Sequence, residues 1–328
     1  MKTYWQVASG SKQRSYPNVF IDFGVFAVNE ADKGRGGYHN YLRQAKKGDI
    51  FILKEGLKLI HAVGIVKDDE LRKQEFYFNF DGWELDYFKY VEWFAPVKPI
   101  KVVGLKQGTI NQCHKEHLKK IADDGLKKWK QAKVKYKIDK NIQIVKDEDI
   151  INSMINNGLK ISQSEILTST LNQVRRLANY YTNNFEPSLV NEDQVRSLIV
   201  IPFLLAIGWS EQQVLLEYHI GKQKADIICF DRPSHEEKKK AKLLVEVKKL
   251  SEGLTYGVDQ AFSYAKELKD VRIICVTNGF CYQIYDLNSD NPKEPYAYIN
   301  ILKPINKYPL SPKTKGAVEA LMKIIPSN

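Results

Sequence analysis

The sequence predicts two folds in one chain, α/β and β-barrel: a small β-barrel over residues 1–110 and an α/β domain over 189–328, joined by a basic helical connector at 111–188. Three observations carry this. Residues 1–95 hold 19 of the 37 Phe, Trp and Tyr residues, in short apolar runs broken by turn residues. Residues 191–286 alternate helical and strand-like apolar runs. Between these regions, residues 101–146 carry 13 Lys against only Glu116, Asp123, Asp124 and Asp139.

In the first region, Asp49 to Leu53 and Leu57 to Val66 are apolar runs separated by Lys54-Glu55-Gly56, a hairpin signal with Gly available for positive φ. Glu75 to Phe80 and Tyr90 to Val97 are further strand candidates. Short strands with turn chemistry between them suggest a small closed sheet. From Lys115 to Lys135, Leu118, Ile121, Leu126 and Trp129 recur at helical spacing and leave the lysines on the other face. Ser162 or Ser164 suits the N-cap of a helix reaching Tyr181, and Pro187 suits its end.

The last region reads as α-β-β-β-α-β-β, the pattern of a sheet faced by helices. Asn191 can cap a helix to about Ile207, with Gly208 placed to stop it. Strands are expected at Leu215 to His219, Ala225 to Phe230 and Lys242 to Lys248, a helix at Val258 to Leu268, then strands at Val271 to Thr277 and Tyr282 to Tyr285.

Of the net charge of +11, the segment 101–146 supplies +9, so the remainder is nearly neutral. Concentrated lysine suits a polyanion such as double-stranded DNA, whose condensed counterions are released on binding. Lys119, Lys120, Lys127 and Lys128 are the candidate backbone contacts. Cys113, Cys229, Cys275 and Cys281 form no CxxC pair, which fits a reducing, cytoplasmic setting. Cys113, His114 and His117 lack a second ligand pair for zinc. The longest apolar run, Leu198 to Trp209, is too short to cross a bilayer, so no membrane partner is expected.

The chemistry concentrates at Val245-Glu246-Val247-Lys248. Alternate side chains of a strand share a face, so Glu246 and Lys248 point together while the valines enter the core. Asp226 opens the preceding strand, and antiparallel pairing can bring it beside Glu246. Two carboxylate ligands suit Mg²⁺ (or Mn²⁺), an ion that keeps several waters. Glu-x-Lys alone is weak, because surface ion pairs supply it often.

Its context is more specific. NEDQVRSLIVIPFLLAIGW (191–209), ADII (225–228), VEVKK (245–249), DQAFSYA (259–265) and VTNG (276–279) leading into YQIYD (282–286) follow in order. Together they resemble the nuclease domain at the N-terminus of type I restriction enzyme R subunits, a branch of the PD-(D/E)xK superfamily. The resemblance implies Asp226 and Glu246 as metal ligands, Lys248 as the catalytic lysine, and Glu192 as an auxiliary acid. It also implies a Gln-x-x-x-Tyr motif at Gln260 and Tyr264. Type I R subunits continue into an ATP-driven motor, but no G-x-x-x-x-G-K-[ST] loop occurs here.

YWQVASGS (4–11), FGVFAV (23–28), GDIFILKEGLKLIHAVGIV (48–66) and YVEWFAPV (90–97) resemble the PUA-like group that includes EVE and YTH domains. This resemblance implies a modified-base reader that takes an extruded base into an aromatic pocket. Trp5, Phe26 and Trp83 are the pocket candidates, with Ser9 and Asp22 as edge readers; Trp93 reads as core. The combined expectation is a modification-dependent, type IV-like DNA endonuclease, dimeric at least on DNA. The alternatives are a nuclease directed at RNA or unmodified DNA, and a non-catalytic nucleic-acid-binding regulator.

Overall fold

The computed structural model describes residues 2–11, 14–29, 38–73, 85–137, 141–184, 190–268, 270–307 and 314–326. The chain divides into two compact units at about residue 140. Of the described residues in the segment expected as a connector, 111–137 fall in the N-terminal unit and 141–184 in the C-terminal one. The expected strand at Glu75 to Phe80, Trp83 and the expected helix end at Pro187 lie outside the described residues.

The N-terminal unit contains β1 (Tyr4–Ala8), α1 (Pro17–Phe23), β2 (Val25–Val28), α2 (Tyr38–Gln44), β3 (Ile50–Glu55), β4 (Leu59–Val66), β5 (Tyr87–Ala95), β6 (Ile110–Gln112) and α3 (Glu116–Lys128). Its main sheet runs β6-β1-β3-β4-β5, with β1 and β3 parallel and the other neighbours antiparallel. The expected hairpin at Lys54-Glu55-Gly56 joins β3 to β4. Residues Val91 to Phe94 of β5 pair with β4, whereas Tyr87 to Tyr90 pair with β2. One strand serving two partners in succession curls the sheet into a half-barrel.

Both faces of this sheet are covered. Phe51 of β3 meets Phe26 of β2 edge-on, and Phe20 packs on Phe26 from the side. On the other face, Ile50 and Ile52 lie under Leu118 and Ala122 of α3. Trp93 is buried, as expected, with its indole N–H donating to the Val25 carbonyl. Gly64 opposite it has no room for a Cβ, which would stand 2.5 Å from the Trp93 ring.

The C-terminal unit contains α4 (Asp147–Asn156), α5 (Ile161–Asn184), α6 (Glu192–Val195), a π-helical turn (Arg196–Val200) and α7 (Ile201–Ala206). There follow β7 (Val214–Ile220), β8 (Gln223–Phe230), β9 (Ala241–Val247), α8 (Thr255–Glu267), β10 (Ile273–Thr277), β11 (Cys281–Asp286), β12 (Ala297–Asn300) and α9 (Ala317–Ile324). The sheet runs β7-β8-β9-β10-β11-β12. Only β9 and β10 are parallel among these neighbours, and α8 makes the crossover that parallel strands require.

Local chemistry explains the helix that opens this sheet. Asn191 and Gln194 form a reciprocal capping box, and Gly208 at φ 110° ends the run. Within it, Pro202 has no N–H to give, and the Ile201 N–H instead reaches back to the Arg196 carbonyl, opening the π turn. Ser162 and Ser164 are not caps. Helix α5 begins at Ile161, and the Ser164 hydroxyl donates back to the Ile161 carbonyl from inside the first turn.

Candidate active site

The site stands where β8 and β9 leave their ladder. The last regular pair is Ile227 with Val245, so the next residues on each strand, Asp226 and Glu246, face each other across the sheet. Regular pairing stops there because Asp226 spends its own carboxylate on the neighbouring backbone: Oδ2 accepts from the Val247 N–H at 2.7 Å. Lys248 continues the strand, tied to β10 by its N–H on the Thr277 carbonyl.

Glu246 and Lys248 share a face, as the alternation requires. Lys248 Nζ donates to Glu246 Oε1 at 2.8 Å and to Gln260 Oε1 at 3.4 Å, and lies 3.9 Å from Glu192 Oε1. Gln260 in turn donates to the Tyr264 hydroxyl at 2.7 Å, one helical turn along α8. All five expected site residues therefore converge: Asp226, Glu246, Lys248, Gln260 and Glu192.

The electrostatics are those of crowded acids. Glu246 is 1% exposed, and its Oε2 is buried without a hydrogen-bond partner among the described residues. Burial pushes its carboxyl up to about 7, with the nearby Asp226 charge adding to the rise. Burial also raises Asp226, against the opposing hydrogen bond from Val247, and raises Glu192. Burial alone would pull Lys248 down, but the carboxylates, Glu246 first, hold it above the ordinary lysine value. Among the described residues, no three His, Cys, Asp or Glu side chains are grouped to hold a metal. The acidic core is thus a two-carboxylate pair with Glu192 beyond it.

Three contributors were not anticipated. Gly257 brings α8 down onto the strand, since a Cβ there would stand 2.8 Å from Lys248 Cε and 3.1 Å from Glu246 Cγ. Arg196 lies one helical turn after Glu192, a spacing that was available as a signal, with NH1 3.7 Å from Asp226 Oδ1. Glu217 holds Arg196 from β7 at 3.1 Å.

Of the five residues expected in the base pocket, Trp83 lies outside the described residues, and the other four have partners or packing of their own. Trp5 and Phe26 are core side chains at 2% and 0% exposure, and the Trp5 indole N–H is spent on Asp49. Ser9 is buried, with its hydroxyl on the Lys54 carbonyl and Ser15. Asp22 pairs with Lys135 at 3.0 Å. A strand that is covered on both faces spends its aromatics on packing, as Phe26 does. Trp5 does border a recess of about 390 Å³ with Tyr38, Tyr41 and Asn111. Of the expected backbone contacts, Lys120, Lys127 and Lys128 are exposed on α3, whereas Lys119 is half-buried and paired with Glu116.

Residues 191–302 match the family of the type I restriction enzyme R protein N terminus. The match spans every residue of the site and marks this stretch as a restriction-enzyme-related, nuclease-like region. No curated protein matches the chain. Among the described residues, no helix is long and apolar enough to cross a membrane.

Proposed function

We propose that the C-terminal unit is a Mg²⁺-dependent endonuclease acting on double-stranded DNA, and that the N-terminal unit selects DNA bearing a modified base. The observation that carries the reading is a buried carboxylate with an unspent oxygen, Glu246, beside the half-buried carboxylate of Asp226 and against a single lysine. Among the described residues Glu246 Oε2 has no donor to answer it, and burial together with the Asp226 charge raises its proton affinity. A divalent cation between Asp226 and Glu246 answers both problems, and Mg²⁺ suits so small a ligand set because it retains waters and takes substrate phosphate oxygens. Mn²⁺ meets the same requirements. Bound there, the ion supplies an acidified water and charge stabilisation for in-line attack on phosphorus.

The residues divide the remaining work. Lys248, fixed between Glu246, Glu192 and Gln260, offers an ammonium where negative charge develops, and orients the attacking water. Gln260 holds that ammonium from α8 and is itself fixed by Tyr264. Glu192, with its raised proton affinity, is placed to accept a proton near Lys248. The lysines on α3 supply electrostatic attachment to the DNA backbone. One centre cuts one strand, so double-strand cleavage calls for a second copy, recruited at least on DNA.

Digestion of a plasmid panel tests this: unmodified cytosine against 5-methyl-, hydroxymethyl- and glucosylated cytosine and N6-methyladenine, with Mg²⁺ and with EDTA. Cutting of a modified member in Mg²⁺ alone is expected. Equal cutting of all members would remove the selection by modified bases, and cutting in EDTA would remove the metal.

A further inference from the structure

The arginine beside the two acids is built like a cation waiting to be displaced. Arg196 is largely buried, 14% exposed at the side chain, and only one arm of its guanidinium is anchored. NH2 donates to Asp193 Oδ1 at 2.7 Å and to Glu217 Oε1 at 3.1 Å. NH1 stands 3.7 Å from Asp226 Oδ1, close enough for charge attraction but too far for a hydrogen bond. The other oxygen of that carboxylate, Oδ2, is taken by the Val247 N–H. Nε is buried and has no partner among the described residues.

The backbone around this arm is special on both sides. Arg196 opens the π turn, a local widening that is common at functional sites. Its anchor, Glu217, is a non-glycine residue at φ 49°, standing in β7 at the place opposite Asp226. A left-handed Glu is strained, and such strain gathers at functional sites. An unspent buried donor adds a further penalty to the present arrangement. The guanidinium is therefore held in place, near Asp226, in a pose that satisfies only part of it.

We propose that Arg196 is a catalytic residue of this centre: it neutralises Asp226 in the metal-free protein, and NH1 passes to a non-bridging oxygen of the scissile phosphate when the metal takes Asp226 Oδ1. The inference rests on the nuclease reading above. It assigns the arm anchored on Asp193 and Glu217 a pivot, with NH1 as the moving end. Because Arg196 and the metal compete for one carboxylate oxygen, the inference makes a prediction that a merely structural arginine does not.

The test uses the full-length protein with R196M, R196K and, as control, D226N. Mn²⁺ binding is followed by electron paramagnetic resonance, and cleavage by single turnover at saturating Mn²⁺ on the panel member that the wild type cuts. R196M should bind Mn²⁺ about three- to tenfold more tightly, since a unit positive charge has left the dication's neighbourhood. The same variant should cut about 100-fold more slowly and need more DNA for half-maximal rate. R196K, which keeps the charge but not the planar group, should stay near wild type in Mn²⁺ affinity and recover part of the rate. Unchanged or weaker Mn²⁺ binding in R196M, or an unchanged cleavage rate, overturns the proposal. A wild type that binds Mn²⁺ through Asp226 yet cuts no plasmid sinks the nuclease reading itself, which is a different result.

Discussion

Replacing Glu246 with Gln should make the metal-free protein more stable while abolishing its cleavage. Glu246 is 1% exposed and sits beside Asp226 and Glu192 with one oxygen unanswered. Raising a carboxyl from 4.5 to about 7 costs the folded state about 3 kcal/mol once the pH exceeds both values. Gln keeps the shape and removes the charge, but weakens the contact with Lys248 by about 1 kcal/mol. A net gain of about 2 kcal/mol is expected at pH 8 in EDTA, read by urea unfolding. The sign follows from proton binding. The folded state holds this proton more tightly than the unfolded chain, so the wild-type penalty is complete above about 7 and vanishes below the ordinary value of 4.5. Wild-type stability therefore rises as the pH falls through that window, and the advantage of E246Q shrinks towards pH 5. Mg²⁺ should stabilise the wild type and leave E246Q unmoved. A variant that is less stable at pH 8, or whose advantage ignores pH, would refute the crowded-acid account.

Asp226→Ala and Lys248→Ala should each lower cleavage by about 10³-fold or more, since each removes several kcal/mol of transition-state stabilisation; unchanged circular dichroism with retained cutting would count against the site. Gly257→Ala places a Cβ 2.8 Å from both Lys248 Cε and Val276 Cγ1. Overpacking of about 1–3 kcal/mol should then outweigh the roughly 1 kcal/mol that Ala gains in a helix, and displacement of Lys248 should slow single-turnover cleavage about 100-fold. Phe26→Ala removes a ring packed between Phe20 and Phe51 and should destabilise the N-terminal unit by about 3–5 kcal/mol, seen as an earlier calorimetric transition.

The C-terminal unit was legible because its signals are local. Alternation in Val245-Glu246-Val247-Lys248 fixes which side chains share a face, and the charged loop at 231–240 joins the antiparallel neighbour that carries Asp226. Asn191 and Gly208 bracket the first helix by capping chemistry that is written in single residues. The N-terminal unit was harder for a physical reason. All four residues of β2 are buried, as are Ile50 to Lys54 of β3, so no polar face exists to reveal the strand period. Without that period, an aromatic such as Phe26 cannot be sorted into core or pocket by sequence. Arg196 was missed because two of its three partners, Glu217 and Asp226, lie on other elements, and Glu217 because backbone handedness at a non-glycine residue leaves no mark in composition.

The irregularity at Glu217 also explains how two acids come to stand alone together. The register of β7 on β8 places Glu217 opposite Asp226, and that of β8 on β9 places Asp226 opposite Glu246. A regular sheet would therefore set three carboxylates side by side on one face, an arrangement of directly opposed like charges that destabilises a ladder. Turning Glu217 to φ 49° interrupts the row. Its carboxylate is instead spent on Lys224 and Arg196, which lower its proton affinity and keep it ionised outside the centre. Asp226 and Glu246 are left as a pair, with the Asp226 charge close enough to raise Glu246. The strain at one residue of β7 is thus the local cost of making a two-acid site out of a three-acid row.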